Sequence, residues 1–453
     1  MKKTLLWFLV ISLVVSIILI GNGCQKATAA TTVEITTAET TATATTSAET
    51  TAAATAEEEV KSLTVWLNPN HPKGIDDMFK RFTVDTGINL DIVVSTQSHA
   101  TTVLMKWNAG ERPDILQWYG TKSWLSQIRP LETLIDLSDL DFVEKTIPNL
   151  LDFTTKYENK VFGAVVEHPI FYGVWYNKKI FEQNSMELPN PANWDEFLEI
   201  CAQLKKVGIT PLTSGGATMW PLQVYPSLVW ADTLTDEFMK DLNSNKAQWT
   251  DPNIIIGIEK LKELQDLGYL NEDILTAKYE DEQKRLINGD TAMVAQLSSM
   301  ISLLVDLYGM DSVNENIGYF PISLESKTPG WQVLHAFYVP KTGNTAKEKA
   351  AIKFINYVTG EGYQELVNGL NGLPTLEGFE PAEQISMPIK DAYTIFQEGD
   401  VRPVFNMMTA VHYGPFETFL NDLIAGTKTP EEVGKALENE FEKNAKALGL
   451  EGF

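Results

Sequence analysis

Cysteine is nearly absent from the 453-residue chain, which has only Cys24 and Cys201. Two so far apart build no disulfide framework and no Cys/His zinc spacing. Histidine is scarce too. The five, at 71, 99, 168, 335 and 412, never fall within one helical turn of each other, so no local metal motif forms. Positive charge is in deficit: 36 Lys+Arg face 60 Asp+Glu, a formal net charge of −24. A chain that acidic lacks the clustered cations that replace counterions on phosphates, which argues against nucleic acid. There is no Gly-x-Ser-x-Gly elbow and no phosphate-binding glycine loop. A glycosidase needs two carboxylates flanking one bond. Glu167 supplies one, and nothing in the sequence identifies a second. The expectation is therefore no catalytic residue, no cofactor and no metal.

Aromatic residues are missing from 25 to 59, a stretch made almost entirely of Ala, Thr and Glu. It buries too little apolar surface to offset its ordering entropy, and reads as a disordered tether. Before it, Lys2 and Lys3 precede an apolar run from Leu5 to Ile20, which is short for a membrane span. That is the layout of a signal peptide, expected over 1–23. Gly21-Asn22-Gly23-Cys24 looks like a lipobox, with Gly21 where Leu is usual, so Cys24 is expected to carry lipid. Acyl chains bury their CH₂ groups in a membrane and anchor the protein there. The localisation expected is the extracellular face of the cell membrane, or the periplasm of a Gram-negative cell.

The remainder is long enough for two domains and has ordinary hydrophobic content, 44% of the whole chain. Ser62–Leu67 and 88–94 read as strands, and Pro113–Gln117 starts a third. Helical periodicity fills 74–86 and 101–108 between them. This alternation implies a parallel sheet with helices on its faces. Ligands of such sheets sit beyond the carboxyl ends of the strands, here near 68–71, 95–99 and 117–120. Further on, Asn193 to Glu196 forms a capping box for a helix to Lys206, and Cys201 falls on its apolar side. Ile209 to Thr213 reads as a strand. Asp251-Pro252 opens a helix to Leu267. Residues 331–339 read as one strand. Thr345 to Glu348 and Thr429 to Glu432 read as capping boxes, and 415–426 as a helix.

Several segments together resemble one family. They are Gly110-Glu111-Arg112-Pro113-Asp114, Lys160 to Gly163, Tyr176-Asn177-Lys178, Asn193 to Phe197, Asn288 to Met293, Gly372 to Pro374 and Gly426 to Glu432. In this order, behind a lipobox, they resemble bacterial extracellular solute-binding proteins of family 1, the maltose-binding-protein-like sugar receptors of ABC importers. One departure is Val165, where Pro is usual. The resemblance implies a periplasmic-binding-protein-like α/β fold. Two α/β lobes would be joined by a multi-crossing hinge with the ligand cleft between them. Lobe one would hold 60–167 plus 328–378, and lobe two 168–327 plus 379–453. The segment 161–197 would make the first crossing.

The function implied is capture of a carbohydrate, an oligosaccharide by its number of aromatics, for the membrane subunits of an ABC permease. The protein would act as a monomer. Alternatives are a non-sugar solute such as a polyamine or peptide, and a secreted glycosidase. A sugar offers an apolar ring face and a rim of hydroxyls, so its site needs aromatic platforms beside polar side chains. Candidates in lobe one are His71, Trp118, Tyr119, Trp331 and His335. Those assigned to lobe two are Glu167, His168, Trp220, Trp230, Gln296 and Tyr413.

Overall fold

In a computed structural model of the chain, the described residues are 59–69, 71–95, 98–147, 150–398 and 401–453. The expected signal peptide, Cys24 and the tether up to residue 58 lie outside them. Among the described residues no helix is long and apolar enough to cross a membrane.

Among the described residues twelve strands are present: β1 (Ser62–Leu67), β2 (Asn89–Val94), β3 (Ile115–Tyr119), β4 (Lys156–Tyr157), β5 (Lys160–Val161), β6 (Gly163–Ala164), β7 (Ile170–Asn177), β8 (Met293–Leu297), β9 (Ile317–Phe320), β10 (Gly330–Gln332), β11 (His335–Tyr338) and β12 (Arg402–Pro403). One sheet runs β2-β1-β3-β11-β6. Its first three strands are parallel, as the sequence alternation implies, and β11 runs against both β3 and β6. The crossover helix Lys73–Thr86 buries Ile75, Met78, Phe79 and Phe82, the apolar face predicted for it. It ends where Gly87 turns left-handed at φ 72° and returns its N–H to Thr83 O. A second sheet is built on β7, which is buried at all eight positions. It pairs with β10 at 170–171, with β8 at 172–176 and with β9 at 174–177. One continuous hydrophobic core joins the elements around both sheets.

The chain passes between the sheets at three places. It leaves β6 and enters β7 through 165–169. It returns from β10 to β11 through Val333 and Leu334. It leaves again after the helix Tyr363–Gly369, where Thr375 Oγ1 donates to Val165 O at 2.8 Å. Gly372 permits this third passage, because a Cβ there would lie 2.5 Å from His168 Nδ1.

The structure corrects four local expectations. The single strand expected over 331–339 is two strands in different sheets, β10 beside β7 and β11 beside β3. Ile209–Thr213 is reduced to one bridge residue, Leu212, between Leu270 and Met293. Pro211 has no N–H to extend that ladder. Asn344, not Thr345, caps the helix Thr345–Val358, accepting from Lys347 N. Glu196 reaches back to Ala192 N rather than to the cap residue Asn193. The Thr429–Glu432 box forms as read, and such a cap contributes about 1 kcal/mol. Cys201 is fully buried.

Candidate functional site

Strand ends bring the first cluster together. β1 ends at Leu67, β3 ends at Tyr119, and antiparallel β11 begins at His335 opposite Tyr119. Gln117 is fully buried, and its amide is shared between two neighbours. Its Oε1 accepts from Asn68 N at 3.0 Å, and its Nε2 donates to Glu167 Oε1 at 3.0 Å. Asn68 Nδ2 lies 3.1 Å from His335 Nε2. His335 Nδ1 is 3.6 Å from Glu167 Oε1, too far for a hydrogen bond, and has no hydrogen-bond partner among the described residues despite its burial. His99 contacts Gln117 O at 2.9 Å, and burial pulls its pKa down. The result is a nearly satisfied polar layer with one spare nitrogen beneath Tyr119.

Aromatic rings continue from this layer. Tyr119 lies 5.4 Å from the His335 ring and stacks on Trp124 at 4.4 Å and 28°. Trp124 meets His412 edge-on at 4.5 Å, and His412 stacks on Tyr413 at 7°. Tyr119, Trp124 and His412 are all half-buried. Trp124 sits on the helix Lys122–Gln127, whose Ser123 Oγ donates to Asn406 O at 3.0 Å. The row therefore runs from the first sheet to the segment that follows β12. Burial pushes the Tyr119 hydroxyl up to about 12 and the His412 imidazole down to about 4. Both are neutral at pH 7. Burial also raises the Glu417 carboxyl, and its charge acts on the Tyr119 and Tyr413 hydroxyls.

A second cluster lies beside β8. Glu282 is fully buried. It accepts from Gly215 N at 2.6 Å and from Gln296 Nε2 at 2.8 Å. Gln296 Oε1 accepts from Leu297 N, which fixes the amide orientation. Desolvation pushes the Glu282 carboxyl up to about 8, against the pull of those hydrogen bonds. Around it, Thr213 Oγ1, Ser214 Oγ and Tyr225 OH are buried without a hydrogen-bond partner among the described residues. Above, half-buried Trp220 and Tyr279 meet at 5.0 Å.

Residues 68–365 match the family described as bacterial extracellular solute-binding protein. The chain belongs to that family. This solute-binding protein is 22% identical, over 77% of its length and 76% of the other's, to an uncharacterized ABC transporter extracellular-binding protein of Pyrococcus horikoshii. It is 26% identical to a probable sugar-binding periplasmic protein of Rhizobium meliloti, over 47% of this chain and 50% of the other. Among solved structures, a chitin oligosaccharide binding protein superposes with TM-score 0.76 at 21% identity, covering 85% of this chain and 99% of that one. The fold expected from the sequence is thus the fold of the solute-binding protein.

The candidate residues of this solute-binding protein fall into three groups. Tyr119, Glu167 and His335 converge in the first cluster, and Gln296 and Trp220 lie in or above the second. His71 and His168 lie near the first cluster without joining it. Both ring nitrogens of His71 are engaged, at Asn68 O (2.6 Å) and Asp76 Oδ1 (2.9 Å). His168 packs at the third passage with Nδ1 buried and unpartnered. The remaining four pack in the core. Trp118 is 0% exposed and donates to Trp124 O. Trp230 donates to Ile254 O and stacks on Phe416. Trp331 packs against Phe153 and Phe396, and Tyr413 against Trp249 and Phe405. Sequence reasoning passed over Asn68, Gln117, Trp124, His412, Glu417 and Glu282. The signal for Trp124 was available: it lies five residues after Tyr119, the last residue of β3.

Proposed function

We propose that this protein captures a carbohydrate, an oligosaccharide, against the Tyr119–Trp124 stack and hands it to the membrane subunits of an ABC permease. The half-buried stack beside the Asn68–Gln117–Glu167–His335 layer carries the reading. Ring faces next to directional hydrogen-bonding groups match a sugar's apolar face and hydroxyl rim. The names of the Pyrococcus and Rhizobium relatives and of the chitin oligosaccharide binding protein support it. We assign the two sheets to two lobes, with the Trp124–His412 and Ser123–Asn406 contacts crossing between them. A ligand touching both sides favours the closed form by its differential affinity for it. Cys24 carries the lipid that holds the monomer at the outer face of the cell membrane, and no reaction is catalysed there.

Thermal denaturation against mono- and oligosaccharides, with spermidine and a short peptide as the other solutes, tests this. A ligand bound only by the native state raises Tm. The expected result is a shift with at least one oligosaccharide, lost in Trp124→Ala. Shifts with spermidine or peptide alone overturn the reading.

A further inference from the structure

We propose that the cleft reads charge as well as ring shape, taking a glycan that bears a protonated amine in preference to the uncharged glycan and rejecting one that bears a carboxylate. This rests on the carbohydrate reading above. Two carboxylates border the same aromatic row. Glu167 is 6% exposed, accepts a hydrogen bond from Gln117, and lies 3.6 Å from a His335 nitrogen that has no hydrogen-bond partner among the described residues. Glu417 is half-buried in the first turn of the helix Phe416–Ile424, four residues beyond Tyr413, and its charge acts on the Tyr119 and Tyr413 hydroxyls. Among the described residues no lysine or arginine pairs with either. Lys122, next to the row in sequence, lies beside Asp152 and Lys156 instead. His412 and His99 are held neutral by burial.

Partly dehydrated carboxylates without a counter-charge are costly, and the cost falls when a cation arrives. An ammonium group on the ligand supplies that cation and donates three hydrogen bonds in addition. Its neutral amide counterpart supplies neither charge nor the full donor set. A uronate would add a third negative group to the same low-dielectric space.

Calorimetry on the full-length protein at neutral pH tests the proposal with four probes: a β-1,4 glucosamine oligomer, its N-acetylated counterpart, an oligogalacturonate and spermidine. The glucosamine oligomer is expected to bind at least about tenfold tighter than the N-acetylated one, a difference near 1.4 kcal/mol. The oligogalacturonate is expected to give no heat. Glu417→Gln should narrow the gap to below about threefold, and Glu417→Asp, which keeps the charge, should retain part of it. Equal or tighter binding of the N-acetylated oligomer overturns the charge proposal and leaves the carbohydrate reading standing. So does binding of a neutral sugar of another backbone without the glucosamine oligomer. Binding of spermidine with no glycan overturns both.

Discussion

The two buried polar clusters look alike by composition: each has a carboxylate and a glutamine, with tyrosine nearby. They differ in how completely they are closed. In the first, Gln117 ties Asn68 to Glu167, and the layer opens through Tyr119 onto half-buried Trp124 and His412. In the second, Glu282 is sealed under Gly215 and holds Gln296, with the Thr213, Ser214 and Tyr225 hydroxyls buried around it. A carboxylate in a sealed space is pushed toward its neutral form, because desolvation outweighs its hydrogen bonds. The same residue types therefore adjoin an accessible aromatic row in one place and close under a loop in the other.

The largest way to break this contrast is to exchange the two tryptophans. Trp118→Ala removes a fully buried ring and should cost about 3–5 kcal/mol of stability in urea denaturation. Trp124→Ala should instead weaken oligosaccharide binding by at least about tenfold in calorimetry, with a smaller stability loss. Equal effects of both on stability and binding would erase the distinction between core ring and platform.

The sealed cluster predicts a pH effect next in size. The Glu282 pKa lies at about 8 in the folded chain, above the ordinary carboxylate value of the unfolded one. Folding then binds a proton, so the protonated group's stability is fully present below the unfolded pKa and is lost as pH rises through the folded one. Glu282→Gln should match the parent near about pH 5 and exceed it by several kcal/mol near about pH 9, in denaturant titrations at each pH. Parallel profiles for the two proteins would show an ionised Glu282.

A smaller effect sharpens the open cluster. Tyr119→Phe keeps the stacked ring and removes a hydroxyl, and should weaken binding by about three- to tenfold with Tm nearly unchanged. The smallest concerns His412. Its pKa near 4 lies below the unfolded value, so its neutral form is the folded one and stability falls only as pH drops below the unfolded pKa. Its ring NMR shifts should stay those of neutral imidazole down to about pH 5. Titration near about pH 6.5 would remove His412 from the buried row.

Local order was legible in the chain because it depends on neighbours a few residues apart. The helical periodicity of 74–86, the Thr429 cap and the β1-helix-β2-helix-β3 alternation could all be read directly. The segments Asn288–Met293 and Tyr176–Lys178 pointed to the family that the match over 68–365 bears out. The sequence alone did not separate Trp118 from Trp124. Both are tryptophans near one strand end, and only pairing of β3 with β11 turns the first into the core and leaves the second on the row. Nor did it divide 331–339, since two strands joined by two residues have the pattern of one. Those distinctions depend on partners more than a hundred residues away, such as His335 for Asn68 and His412 for Trp124. Such contacts exist only once the sheets have formed and burial has assigned each side chain its neighbours.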